Sequence, residues 1–145
     1  MDTEFRQFTT DDAEYQQSLE LRNAQLRAPL GLELSESDTA GERSQLHFGL
    51  FRERRLLASV TLKNLGDGRM KLRQMVVEPS ARGMGLGRAL IENVEKRLRS
   101  MDCVEIVLAA RVNAERFYET LGYRSSGERF REVGIDHLSM TKCLP

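Results

Sequence analysis

A mixed α/β fold is predicted by the order in which two kinds of apolar periodicity follow one another along the chain. Runs such as "RLLASVTLK" (55–63) and "RMKLRQMVV" (69–77) are rich in apolar and β-branched residues, as strands are. After the glycine-rich turn "RGMGLG" (82–87) the period changes. Leu86, Leu90, Val94 and Leu98 recur every fourth residue, with Ile91 beside them, which is the stripe of an amphipathic helix. Then "CVEIVLAA" (103–110) returns to a short, almost wholly apolar run, which belongs in the middle of a sheet.

Each element follows in order. "EFRQF" (4–8) spaces Phe5 and Phe8 as a first strand. Thr10, Asp11 and Asp12 offer capping oxygens to a helix reaching about Arg27, whose apolar face is thin: Ala13, Leu19 and Leu26, with Tyr15 and Leu21 nearby. Residues 28–45 mix Pro, Gly, Ser and acids without a period and read as a long loop with at most a short helical turn, of the kind that often binds ligands. Strands at 46–51 and 55–63 flank the turn "RER". A second turn, "NLGDG" (64–68), leads into the strand at 69–77, where Met70, Leu72 and Val76 point one way and Lys71, Arg73, Met75 and Val77 the other. Pro79 ends that strand. Asn113 is placed to cap a second helix, which Gly122 stops, and "YRSS" (123–126) and "DHLSMTK" (136–142) close the order β-α-β-β-β-α-β-α-β-β. One domain, 1–145, accommodates all of it.

Composition removes several function classes. With 40% hydrophobic and 30% charged residues among 145, the chain is a globular one; 22 basic residues against 22 acidic ones argue against a general nucleic-acid binder. The polar, acidic start "MDTEFRQFTTDD" is no signal peptide, and no apolar run nears the ~20 residues that span a bilayer, so a cytoplasmic protein with no membrane partner is expected. Cys103 and Cys143 have no metal-type spacing; two reduced thiols and no metal are expected.

The glycine turn carries the functional signal. A helix N-terminus leaves N–H groups unpaired with partial positive charge, and glycines ahead of it let an anion approach the backbone. A tight turn alone needs one glycine; Gly83, Gly85 and Gly87 are three in five positions. Arg82 and Arg88 add donors. The turn is no P-loop, because Arg88 and Ala89 stand where Lys and Ser/Thr would be. It is no dinucleotide fingerprint either, because the sixth residue is Arg88 counting from Gly83 and Leu90 counting from Gly85.

What remains, Arg82 followed by Gly85 and Gly87 within "RQMVVEPSARGMGLGRAL", resembles the pyrophosphate loop of the GNAT acetyltransferase superfamily and its strand, bulge, loop and helix setting. "NAERFYETLGYRSSG" resembles the family's second motif, and "LRNAQLRAPLGL" and "FREVGIDHLSMTK" resemble segments of small bacterial members. The resemblance runs over nearly the whole chain. It implies a mostly antiparallel twisted sheet of six to seven strands, splayed into a V between the middle two and flanked by three to four helices. It also implies acetyl-CoA as co-substrate, its pyrophosphate held by backbone N–H groups of Gly83, Met84, Gly85, Leu86, Gly87 and Arg88. The pantetheine arm would lie along Met75, Val76 and Val77, a backbone N–H near Val76 and Val77 would polarise the thioester carbonyl, and Asn113 would face the arm.

Tyr118 matches the family's general acid, which would return a proton to the departing thiolate; the alternative is a core aromatic beside Phe117. For the base that deprotonates the amine, Glu78, Glu132 and His137 compete with a water relay; His137 and His47 also read as structural histidines. Arg22, Arg27 and Arg73 would line the acceptor pocket if the first helix and central strand flank it, favouring a carboxylate-bearing acceptor; the alternative is ordinary surface arginines. Met75 borders the acetyl group or fills core. The expected activity is direct N-acetyl transfer to a primary amine, on a small molecule or a peptide, because neither cysteine sits where a thiolate is activated. Rival readings are a non-catalytic acyl-CoA-binding module and, more remotely, a nucleotide-binding regulator. Homodimers are common in the family.

Overall fold

The computed structural model describes residues 2–145. Seven strands, β1 (Glu4–Phe8), β2 (Leu46–Arg52), β3 (Arg55–Gly66), β4 (Arg69–Val77), β5 (Glu105–Arg111), β6 (Arg124–Glu132) and β7 (Ile135–Cys143), build one sheet in the order β1-β2-β3-β4-β5-β7-β6. Four helices accompany it: α1 (Ala13–Arg22), α2 (Glu36–Thr39), α3 (Leu86–Arg99) and α4 (Glu115–Thr120). Every neighbouring pair is antiparallel except β4 and β5, which are parallel. That is the mostly antiparallel α/β architecture the resemblance implied.

The core lies between the sheet and α3. Leu86, Leu90, Ile91, Val94 and Leu98 are buried against Met70, Leu72, Ile106, Leu108 and Ala110. Burying a side chain of that size stabilises by about 1.5–3 kcal/mol. The other face is held differently. α1 buries Tyr15, Ser18 and Arg22, two of them polar and one charged. Its apolar contribution is a small cluster of Tyr15, Phe8, Phe51 and Leu56, with Leu19 and Leu21 at its edge. The thin stripe read from the sequence is therefore real, and polar contacts do the anchoring.

Two local departures shape the cleft. The helix expected to reach Arg27 rewinds into a π-turn over Asn23–Arg27 and a 3-10 turn over Ala28–Leu30, closed by Gly31 in the left-handed region. Single π-turns in α-helices are frequent where a helix meets a functional site. The loop at 31–45 contains two short turns: α2, whose Ser35 and Asp38 form a capping box, and a 3-10 turn at Glu42–Ser44. A correction concerns Asn113. Residues Val112–Ala114 form a 3-10 turn and Ala114 occupies the N-cap of α4, so Asn113 caps nothing and is exposed.

The splay is visible in the register. β4 and β5 pair from Arg69 opposite Glu105 to Leu72 opposite Leu108, and no further. Just beyond, Thr61 faces Arg73 and Ser59 faces Val76, so one β3 residue opposes two of β4. That is a β-bulge, with Gln74 at φ 55°, and bulges bend the strand that carries them. β4 turns away from β5 at this point, and the V opens.

Candidate active site

The gap between the diverging strands is a cleft of about 810 Å³. Its walls are β4 from Lys71 to Val77, the end of β5, the turn at 81–88, one face of α4, and the π-turn of the first helix.

At one end stands the glycine turn. Pro79–Ala81 makes a 3-10 turn, after which Gly83 (φ 82°) and Gly85 (φ 75°) are both left-handed, Gly85 as the N-cap of α3. A Cβ on either would meet nothing within 4 Å, so the backbone here faces open space. From residue 83 to 88 no main-chain N–H finds an acceptor among the described residues; the first bond of the helix is Ala89 N–H to the Gly85 carbonyl at 3.0 Å. An unpaired amide row with the helix dipole behind it is what an anionic oxygen requires, so the residues present fit a pyrophosphate. Gly87 differs: a Cβ there would lie 3.2 Å from the Phe117 ring, which makes it a packing glycine. Arg82 donates to Gln25 Oε1 (2.9 Å) and Arg88 to the Thr120 carbonyl (3.4 Å), so both guanidinium groups stand at the cleft. Met84 does not: its side chain is 53% exposed and turned away from the cleft, though its N–H remains in the row.

Met75, Val76 and Val77 line the cleft along β4, and Met75 also reaches the Gly87 and Phe117 contact. Opposite, Phe117 and Tyr118 of α4 both border it, their rings 5.0 Å apart; Phe117 is the more exposed and Tyr118 is buried, against Tyr123. Burial pushes the Tyr118 phenol above the usual tyrosine value, with no hydrogen bond contributing. Asn113 lies outside the cleft lining.

The candidate bases separate. Glu78 accepts from the Ser80 hydroxyl and backbone N–H and pairs with Arg55 at 3.3 Å, which together hold its carboxyl below the usual range; it directly follows β4 but is not part of the cleft wall. His47 is buried in a polar network. His137 and Glu132 do line the cleft. His137 Nδ1 meets the Ile135 carbonyl at 2.8 Å, which makes Nδ1 the protonated nitrogen and leaves the Nε2 lone pair free. Glu132 Oε2 is 3.8 Å from Nε2, beyond hydrogen-bond range, and the ring stacks on Phe130.

The three arginines also separate. Arg22 is 1% exposed and bidentate to Glu42 (2.8 and 2.6 Å), so it is no part of the acceptor wall, contrary to expectation. Arg27 pairs with Asp38 (3.0 Å) and lines the cleft. Arg73 lines it too, donating to Glu42 (3.1 Å), Gln45 (2.7 Å) and the Asp38 carbonyl (3.0 Å). Tyr15 OH (2.6 Å) completes the Glu42 carboxylate, and His47 contacts the Glu42 carbonyl and Thr61. Burial alone would raise the Glu42 carboxyl; the hydrogen bonds from Arg22, Tyr15 and Arg73 outweigh it and hold it low.

Three features that shape the cleft, one of them the buried Glu42 behind its wall, carry no local signal in the sequence. Glu42 sat in an apparently aperiodic loop. Gln74 marks a bulge that no local pattern signals. Arg111 ends the apolar strand β5, where no local pattern marks it for the cleft; it donates to the Leu26 carbonyl at 3.2 Å across the cleft.

The sequence model of a family described as "Acetyltransferase (GNAT) domain" matches residues 29–144. An uncharacterised Bacillus subtilis protein, YyaT, is 29% identical over 110 residues, covering 76% of this chain and 73% of its own. Among solved structures, an acyl-CoA N-acyltransferase from Pseudomonas aeruginosa superposes with a TM-score of 0.81 at 23% identity, over 97% of this chain and 99% of that one. An aminoglycoside 6'-N-acetyltransferase complexed with coenzyme A superposes with a TM-score of 0.79 at 16% identity, over 98% and 97%. At these identities the two structures speak to the fold.

Proposed function

The chain belongs to the GNAT acetyltransferase family, and from that premise we propose that it moves an acetyl group from acetyl-CoA directly to a primary amine. The observation that carries this is the unpaired amide row at 83–88, opening on the same cleft as Tyr118 and the bulged end of β4. Acetyl-CoA, when bound, supplies the activated thioester. Backbone N–H groups from Gly83 to Arg88 hold its diphosphate, aided by Arg82 and Arg88. The backbone of Met75, Val76 and Val77, free of β5, hydrogen-bonds the pantetheine arm, and an N–H there polarises the thioester carbonyl. Tyr118 protonates the departing sulfur. His137 takes the proton that the attacking ammonium must lose, through Nε2, directly or through one water. Direct transfer is favoured over a covalent acetyl-enzyme because burial pushes the Cys103 thiol up and neither cysteine lines the cleft.

Calorimetry with coenzyme A tests the binding half. The native protein should take up one equivalent. Gly85→Val should weaken that by about tenfold or more, because a β-branched residue at φ 75° costs ~1–3 kcal/mol and pulls the amides off target. No uptake by the native protein sinks the reading.

His137→Gln tests the base. The variant should turn over about 100-fold more slowly near neutral pH. Its deficit should shrink as pH approaches the acceptor amine's own pKa, where solvent has already removed the proton. A pH-independent deficit would assign His137 a structural role instead.

A further inference from the structure

The acceptor end of the cleft carries a charge imbalance. Arg27 and Arg111 both donate to one oxygen, the Leu26 carbonyl, at 3.1 and 3.2 Å. Of the two carboxylates lining the cleft, Asp38 is bonded to Arg27, and Glu132 is exposed and nearest His137, with neither paired to Arg111 among the described residues. Arg111 has no carboxylate partner among the described residues. Lys71, in the same wall, has none either, and Glu42 already serves both Arg22 and Arg73. Burial and the neighbouring Arg27 charge both push the Arg111 guanidinium below its ordinary value. A half-buried cation held beside another cation is costly unless an anion joins it.

A second polar group in the cleft is also unmatched. Gln74 Oε1 is buried with no hydrogen-bond partner. It stands at the bulge, one residue before the Met75, Val76 and Val77 segment. The oxygen is covered in this structure, and a turn of the side chain toward the cleft would make it an acceptor for the N–H groups of an amine arriving at that strand.

Resting on the acetyltransferase reading above, we propose that the acceptor is a small amine that also bears an oxyanion, carboxylate or phosphate, gripped by Arg111 while Gln74 receives its amine. The free guanidinium donors of Arg111 suit either oxyanion. The cationic wall has a further effect: it disfavours the ammonium form of the bound amine, which eases the deprotonation that must precede attack. Arg111 thus determines specificity, and polycationic amines are excluded by like-charge repulsion.

The test is a thiol-release assay with matched acceptors: glycine and β-alanine against their amides, 2-aminoethyl phosphate against ethanolamine, and spermidine as the polycation. The anionic member of a pair should exceed its neutral partner in kcat/KM by at least about tenfold, the two pairs separating carboxylate from phosphate. In Arg111→Gln the anionic acceptor should lose about 10–100-fold, mainly in KM, so that the ratio within the pair falls toward one. Arg111→Lys, which keeps the charge, should recover part of the preference. The rise in Tm with each acceptor in the presence of coenzyme A gives the same comparison without turnover. Neutral or cationic amines preferred in both readouts, no anion-dependent response in either, or a preference untouched in Arg111→Gln would each overturn the proposal. Coenzyme A uptake, measured separately, reports on the acetyltransferase reading alone, so the two failures are distinguishable.

Discussion

Tyr118→Phe should lower kcat by about 100-fold or more while leaving the affinity for coenzyme A within about twofold. The phenol sits in a desolvated pocket that keeps it protonated at any working pH, as the proposed role of proton donor requires. A thiolate leaving into the same poorly solvated cleft is a stronger base than in water, which favours taking that proton. Removing the hydroxyl forces the thiolate out uncompensated. The fold should not suffer: no hydrogen bond to the Tyr118 hydroxyl contributes to its environment, the ring remains packed between Phe117 and Tyr123, and Tm should stay level or rise slightly. The kinetic loss can then be read as chemistry. A non-catalytic acyl-CoA-binding module predicts the opposite pattern, with no effect of Tyr118→Phe on any output. Steady-state kinetics and calorimetry on one variant separate the two.

What was legible in the sequence was what neighbouring residues decide. The α3 stripe, its glycine N-cap and the Gly122 stop depend on contacts within a few residues, and each stands where the periodicity put it. The placing of β7 between β5 and β6 leaves no local trace, because it depends on pairing across about thirty residues of chain. The cleft divides the same way. Its amide row was readable, since glycine spacing encodes it. The bulge at Gln74 was not, because φ 55° at a glutamine is imposed by the β3 register. The arginines misled for a related reason. A guanidinium written in a sequence has no address: Arg22 turned out to be buried on Glu42, while Arg111, at the end of an apolar strand, stands in the cleft.

Glu42→Gln should be the most destabilising single change at the buried network, by about 3–5 kcal/mol, or a fall in Tm of roughly 10–15 °C. The substitution preserves shape and removes the charge that neutralises Arg22, whose guanidinium is fully buried and has no other carboxylate. It also weakens Arg73 and Tyr15, so the loop at 31–45 loses the tie that brings Ser37 and Asp38 to the cleft, and acceptor KM should rise with it. Replacing both ends of the pair, Arg22→Met with Glu42→Leu, should recover much of the stability lost in Glu42→Gln, because no charge is then stranded. The same cluster should contribute to the pH dependence of stability. Glu42 and Asp38 have folded pKa values held below their ordinary 4.5 and 3.8, Asp38 at about 2, so their stabilisation is complete above pH 4.5 and is lost in acid, Asp38's share as pH falls toward about 2. Tyr15 runs the other way: burial, with the Glu42 hydrogen bond and charge adding to it, raises its phenol from 10 to about 12, so that contribution is intact below pH 10 and disappears as pH climbs toward 12. Thermal melts across pH should therefore show a plateau bounded by these two limbs, and Glu42→Gln should shrink both without abolishing either: the acidic limb keeps the share of Asp38, whose partner is Arg27, and the alkaline limb keeps the share that burial of Tyr15 supplies. A variant that keeps both limbs unchanged would place the origin of the pH dependence elsewhere.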